Sequence, residues 1–422
     1  MFEPYKLHDE LLLGVATAAT QIEGGDNTNT NWYRLSLTKG AIKDGSSPLR
    51  ADDHYKLYES DAKLMKDMHI EIYRMGIEWG RIEPEKDRFD DNVMKHYIDE
   101  IKLLQSYGIK ILLTLHHFSN PLWFEDLGGW LEEKNIEYFL DFVKYVVNNL
   151  KGIVNEYVTI NEANIYASNS YLFGGWYPMH KDMKEAGKVM KHLCLAHIYS
   201  YKIIKEIDSK ALVGFANHMA GFKPARKHNL IDKFVARFMD NAFNNSINRA
   251  MAYGKFSYPM GRSKKLKGEY IDFFGINYYT GNLVRGTKIE TKKDCPHNDL
   301  GWELDPVLFN EFIEKFHKEF NKPIYITENG TADKFDSFRS KYIYDHLKVI
   351  SDKPYVKRYY HWTFMDNWEW AEGENARFGL VEVDYETQKR TIRPSGYFYT
   401  DIIDKKEITK ESIEKYINNS RK

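Results

Sequence analysis

Glu328 and Glu162 are the residues of this chain best placed to do chemistry. Glu328 follows an apolar, β-branched run in IYITENG (residues 324–330), and Glu162 follows another in YVTINEAN (157–164). Four to eight apolar residues bounded by turn formers read as a buried strand. A carboxylate at the end of such a strand is delivered by a rigid element. Taken singly, a glutamate there more often faces a helix N-terminus or a basic partner. Two of them, set among amide and aromatic residues, raise a different expectation. They form a carboxylate pair, the machinery that cleaves a glycosidic bond.

The elements that must position this pair alternate along the chain. Apolar runs at 11–20, 70–79, 109–118, 154–160, 211–217, 270–279 and 324–327, with another starting at 356, read as eight strands. Helical periodicity occupies 55–68, 92–107, 136–150 and 184–207, and a further helix begins near Pro394. Eight strands with intervening helices imply an α/β chain, a single (β/α)8 TIM barrel over residues 1–422. In that architecture the residues just past the strands build the active-site mouth. The charged, amphipathic stretch at 401–422 reads as a solvated surface helix.

Nearly every strand ends in a group suited to a sugar. The first offers Gln21, the third His116 and His117, the fourth Asn161 beside Glu162, and the fifth Asn217. The sixth ends in Asn277 and Tyr279, and the eighth and its loop supply Trp362, Glu369 and Trp370. Hydroxyl-rich ligands need side chains that both donate and accept, and their apolar faces need indoles. The histidine pair also raises the question of a metal. Neighbours on a strand point to opposite faces, so the two rings cannot readily share an ion. No third ligand sits at a suitable spacing, and no metal is expected. Arg74, inside the second strand, needs a carboxylate if it points into the barrel, and Glu328 is the natural partner.

Composition narrows the partners. Lys and Arg number 60 against 61 Asp and Glu, a formal net charge of −1, so nothing marks a nucleic acid or an acidic membrane surface. Aromatic residues make up 15% of the chain, which favours a carbohydrate ligand and a Tyr-rich core equally. Cys194 and Cys295 are its only cysteines, against a disulfide framework. The N-terminus lacks the basic segment and long apolar run of a signal peptide, and no apolar stretch approaches the ~20 residues that span a bilayer. A cytoplasmic location without membrane attachment is expected.

From LLLGVATAATQIEGG to RPSGYFY the chain resembles glycoside hydrolase family 1, the β-glucosidase and β-galactosidase family. The resemblance rests on YRMGIEWGRIEPE, TLHHFSNPLWF, TINEAN, GINYYTG, YITENG and HWTFMDNWEWAEGENARFGLVEVDY in combination. It implies a retaining mechanism on small β-glycosides or oligosaccharides, and the chemistry requires no cofactor. Glu328 matches the nucleophile and Glu162 the acid/base. Asn161 matches the amide that holds the sugar 2-hydroxyl, while Gln21, His117, Glu369 and Trp370 match groups that hold the remaining hydroxyls. Trp362 matches the indole under the ring and Trp302 an aglycone-side platform. Arg74 and Tyr279 match the pair that hydrogen-bonds the nucleophile.

The chain departs from the family pattern at Ala163, where a proline is usual. Ala163 adds a backbone N–H just beyond the acid/base and frees φ there. Phe118 replaces a common Trp, and Ser119 and Asn120 replace the usual Asp-Leu. The loop after Glu328 is short for the family, which implies an open aglycone entrance.

In the retaining mechanism Glu328 must be ionised, and Arg74 is expected to lower its pKa. Glu162 must carry a proton for the leaving oxygen, and the two carboxyl groups should stand about 5–5.5 Å apart. Two alternatives follow from the same residues. Phospho-specific relatives carry serine, lysine and tyrosine where this chain has Glu369, Ala376 and Phe378. A glutamate would repel a 6-phosphate, which argues against a 6-phospho-β-glycosidase. A catalytically weak carbohydrate-binding member would typically lack a carboxylate, and both are present. Glucoside, galactoside and fucoside remain equally compatible with the glycone residues.

Overall fold

The computed structural model describes residues 2–262 and 266–418. Eight parallel strands close into a barrel: β1 (Leu12–Ala16), β2 (Ile72–Gly76), β3 (Lys110–His116), β4 (Glu156–Asn161), β5 (Leu212–His218), β6 (Phe274–Tyr278), β7 (Ile324–Asn329) and β8 (Val356–Trp362). Each pairs with the next in chain order, and β8 returns to β1. The (β/α)8 architecture expected from the alternating pattern is therefore present. Such strands are covered on both faces, which explains runs such as Leu112, Leu113 and Leu115 with almost no solvent exposure.

The outer layer includes α1 (His54–Asp67), α2 (Asp91–Ser106), α3 (Ile136–Leu150) and α4 (Met183–Ile207). Their starts are specified locally. Asp90 accepts hydrogen bonds from the amides of Asn92 and Val93, and Asp182 from those of Lys184 and Glu185. Each satisfies amides that have no partner inside the helix. On α3 the buried set Phe139, Phe142, Val143, Val146, Val147 and Leu150 recurs at helical spacing, which holds that face to the core. No described helix is long and apolar enough to cross a membrane.

Three sequence readings are corrected. The first strand stops at Ala16, and the chain turns into a short helix, Ala19–Ile22, that carries Gln21. The sixth begins at Phe274, because the Tyr270 and Asp272 amides bond to Ala252 and Val213. The closing stretch is not one solvated helix. A helix, Pro394–Lys405, ends at left-handed Lys406 (φ 50°), and Glu407–Ile408 then pairs antiparallel with Tyr5–Lys6. A short helix, Lys410–Ile413, follows. Ile402, Ile403, Ile408, Ile413 and Ile417 are buried, so the apolar residues of this stretch serve the core. Residues 419–422 lie outside the described residues.

The pairings of β4 with β5, and of β7 with both neighbours, slip in register toward their C-terminal ends. These slips fall between Val158 and Asn161 and just after Ile326, and β7 also slips against β8 at its start, between Ile324 and Tyr325. Such irregularities re-aim side chains at barrel rims. They occur on the two strands that deliver the glutamates.

Candidate active site

At the C-terminal mouth of the barrel a cavity of about 660 Å³ is lined at its inner end by Glu162, Glu328, His117, Trp362 and Glu369. The two glutamates are furnished differently. Glu328 Oε1 accepts a hydrogen bond from Arg74 Nη1 at 2.5 Å, and its Oε2 accepts one from the Tyr279 hydroxyl at 2.6 Å. Arg74 is fully buried and spends its other donors on Asn161 Oδ1 (2.6 Å), Thr114 Oγ1 (3.0 Å) and the Thr327 carbonyl (3.1 Å). Glu162 Oε1 accepts from Asn277 Nδ2 at 2.8 Å and lies 3.6 Å from His218 Nδ1.

The expected Arg74–Glu328 pair is present, and Arg74 pulls the carboxyl down as expected, but burial outweighs it. Burial dominates and pushes the Glu328 carboxyl up to about 7. Arg74 pulls it back, the neighbouring Glu162 charge pushes it further up, and the Tyr279 hydroxyl adds a smaller downward pull. The sequence reading weighed the cation without the cost of removing the carboxylate from water.

The backbone around both glutamates is tightly specified. Glu162 adopts a left-handed conformation (φ 44°, ψ 55°), unusual for a residue with a side chain. The Ala163 N–H, which a proline would lack, donates to Asn217 Oδ1 at 3.1 Å, so the departure from the family pattern has a buried partner of its own. Beyond β7, a Cβ on Gly330 would stand 1.7 Å from the Trp362 carbonyl oxygen. Only glycine fits where the exit of β7 lies against the end of β8.

The two histidines point apart, as the strand geometry requires. His116 bonds Asn120 Oδ1 at 2.8 Å in a buried network with Trp130, Glu125 and Tyr166. His117 faces the cavity, with ring centres 5.8 Å from Trp362 and 5.7 Å from Trp370. Burial, helped by the Arg74 charge, holds it well below the usual imidazole range, so it is neutral and can both donate and accept. Ser119 donates to Glu78 at 2.7 Å, so both residues that replace Asp-Leu are bound into this wall.

Gln21 Nε2 donates to Glu369 Oε2 at 3.0 Å. Burial pushes Glu369 up to about 8, the Glu328 charge adds to this, and donors from Gln21 and Trp362 oppose it. Trp302 packs near Tyr279, with ring centres 5.8 Å apart, on the outer wall. Asn277 is committed to the protein. It donates to Glu162 and Asn161 and accepts from the Thr327 hydroxyl at 2.6 Å. Among the described residues, Gln21 Oε1, Asn161 Nδ2 and His117 Nδ1 are buried without a protein partner. Buried polar atoms of this kind call for a ligand's hydroxyls.

The sequence reading missed His218, which stacks on Tyr279 with ring centres 5.9 Å apart beside Glu162. It is one residue beyond Asn217, so following the strand one position further would have found it. Trp176 was missed as well. It packs on Trp32 and Phe118 (5.0 and 4.9 Å) from an irregular segment with no strand-end signal.

The glycosyl hydrolase family 1 model matches residues 4–408. The chain belongs to glycosyl hydrolase family 1. It is an O-glycosyl hydrolase of the retaining β-glucosidase type. Beta-glucosidase A of Thermotoga maritima is 30% identical, over 94% of this chain and 98% of that protein. Beta-galactosidase of Pyrococcus woesei is 27% identical, over 97% and 99%. The solved beta-glycosidase from Pyrococcus horikoshii superposes with a TM-score of 0.90 at 34% identity, covering 98% of each chain.

Proposed function

We propose that this family 1 enzyme removes terminal non-reducing β-D-glucosyl residues, and β-D-galactosyl or β-D-fucosyl residues with them, by double displacement through a covalent glycosyl-enzyme. The observation that carries the reading is the unequal furnishing of two carboxyl groups on one cavity. Two donors, one of them a fixed cation, favour the anionic form of Glu328 against the cost of its burial, and Glu328 is the group that attacks the anomeric carbon. Glu162 gives its proton to the departing oxygen. Once the glycosyl–Glu328 ester forms, Glu328 no longer repels a charge on Glu162, which then takes a proton from water as that water opens the ester.

Asn161 Nδ2 and His117 supply donors for ring hydroxyls, and Trp362 lies under the sugar's apolar face. Glu369, pushed up to about 8 by burial, faces a pair of hydroxyls while Gln21 fixes its orientation. No lysine or arginine lines the cavity among the described residues, so a 6-phosphate would meet no counter-charge. The relatives are named for glucosides and for galactosides, which supports a glycone site open to both.

The test is a kinetic panel of nitrophenyl β-glucoside, β-galactoside, β-fucoside and 6-phospho-β-glucoside, with product configuration followed by NMR. Hydrolysis of the unphosphorylated substrates with β-product formed first is expected. Initial release of the α-anomer, or preference for the phosphorylated sugar, would overturn it.

A further inference from the structure

The cavity changes character away from the catalytic pair. Its inner end is polar and indole-lined, as a sugar requires. Beyond Tyr279 and His218 the wall becomes a hydrocarbon surface drawn from four separate segments. Ile165, Leu172 and Phe173 follow β4, Met183 and Met190 come from the start of α4, and Phe222, Phe238 and Phe243 follow β5. Ile289 and Leu300, after β6, complete it. The polar side chains away from the inner end are few: Ser168, Asn169, Thr280, Asn282, the Tyr258 hydroxyl, and Glu372, which is paired with Lys43. A second sugar in the aglycone position would need converging amides and carboxyls of the kind found at the inner end. This wall offers mainly area.

The apolar surface is continuous. His218 lies edge-on to Phe243 (6.3 Å), Phe243 meets Phe222 (5.8 Å), and Phe238 packs on Tyr258 (5.5 Å), whose hydroxyl reaches Met183 Sδ at 3.5 Å. It also runs out of the mouth. The helix α5 (Leu230–Asp240) buries Asp232 and Ala236 and turns its apolar stripe outward. Leu230 is 79% exposed, Phe234 72% and Phe238 47%. These three follow one another at i, i+4 spacing, so the stripe ends at Phe238 on the cavity wall. A helix of a water-soluble domain ordinarily buries such a face, and an exposed apolar patch joined to a binding cleft marks what the cleft receives.

From this wall we infer that the aglycone is a linear saturated chain: the substrates are amphiphiles in which a β-linked sugar carries an alkyl or acyl-type tail. The tail leaves the anomeric oxygen past Tyr279 and His218, lies between the segments after β4 and β5, and continues along the outward stripe of α5. The inference rests on the β-glycosidase reading above and adds the substrate class to it. Each methylene buried on this wall gains up to about fourfold in kcat/KM by the ordinary transfer energy of hydrocarbon.

The test is the series methyl, butyl, hexyl and octyl β-D-glucoside, each below its critical micelle concentration, with cellobiose and phenyl β-D-glucoside for comparison. A rise in kcat/KM with chain length is expected, reaching at least about thirtyfold from methyl to octyl, with octyl glucoside above both cellobiose and the phenyl compound. Octyl β-D-thioglucoside should inhibit more tightly than its methyl counterpart, a readout independent of turnover. Phe238→Gln and Phe173→Gln, at positions already open to solvent, should each lower the octyl-to-methyl ratio within the same variant. A flat series, or cellobiose as the better substrate, would overturn the inference while leaving the β-glycosidase reading intact. Failure to cleave even nitrophenyl β-glucoside would remove that reading itself.

Discussion

Glu328 with Arg74, and Asp366 with Arg393, are two buried carboxylate–guanidinium pairs built from the same chemistry. Asp366 is saturated. Its Oδ1 accepts from Arg393 Nη1 (2.8 Å) and the Gly379 amide (3.0 Å), and its Oδ2 from Arg393 Nη2 (2.8 Å) and Arg377 Nη1 (3.1 Å). Glu328 has one donor per oxygen, and its remaining lone pairs face the cavity. Both sit in family motifs, Asp366 in HWTFMDNWEW and Glu328 in YITENG. What separates an architectural pair from a reactive one is spare valence directed at an enclosed space. Charge, burial and motif membership do not distinguish them.

That contrast can be broken most forcefully at Glu328. Glu328→Gly should cut kcat by roughly 10⁵-fold or more, the scale on which hydrolases lose their covalent nucleophile, with the melting transition retained. Azide should restore turnover and give the inverted α-glycosyl azide. Substantial hydrolysis without azide would move the nucleophile elsewhere. Asp366→Asn should do the opposite. Leaving the buried Arg393 without its anion costs about 3–5 kcal/mol of stability, seen as a lower urea midpoint, while kcat of the folded fraction holds.

A smaller effect sharpens the comparison on the Glu162 side. Asn217→Ala removes the acceptor for the buried Ala163 N–H, a loss of about 1–3 kcal/mol. If that bond holds Glu162 in its left-handed conformation, kcat should fall while KM stays near its original value. A change in stability alone would mean that the bond supports only the fold.

The smallest effect is a pH shift. Glu328 is raised to about 7 by burial and must be anionic to attack, so kcat/KM should fall as pH drops through about 7. Tyr279→Phe removes a donor that favours the anion, so that acid limb should move to higher pH. A limb that stays in place would show that another group sets it.

How much of this was legible in the chain depends on the element. The eight strands were readable because a strand buried on both faces is a continuous apolar run. Their ends were less so, since Ala16 and Phe274 mark where neighbouring hydrogen bonds begin and end, which composition does not encode. The glutamates, His117, Arg74 and the indoles of Trp302, Trp362 and Trp370 were legible because strand ends and motifs mark them, whereas Trp176 was not. The outer wall was not. Phe173, Met183, Phe222 and Phe238 come from helices and irregular segments after different strands, and no local spacing announces that the barrel will gather them. The net upward shift of Glu328 escaped for a related reason, because it depends on how much water the assembled mouth excludes.

The contact between Gly330 and the Trp362 carbonyl ties the rim of one stave to the rim of the next. Glu328 is two residues from that contact and the Trp362 indole is attached at it, so neither can be re-aimed by backbone adjustment without dragging the other. Redesign of which sugar this enzyme accepts therefore has to proceed by exchanging side chains on a fixed frame. Insertions or loop grafts at this seam would move the Glu328 carboxyl and the Trp362 indole relative to one another.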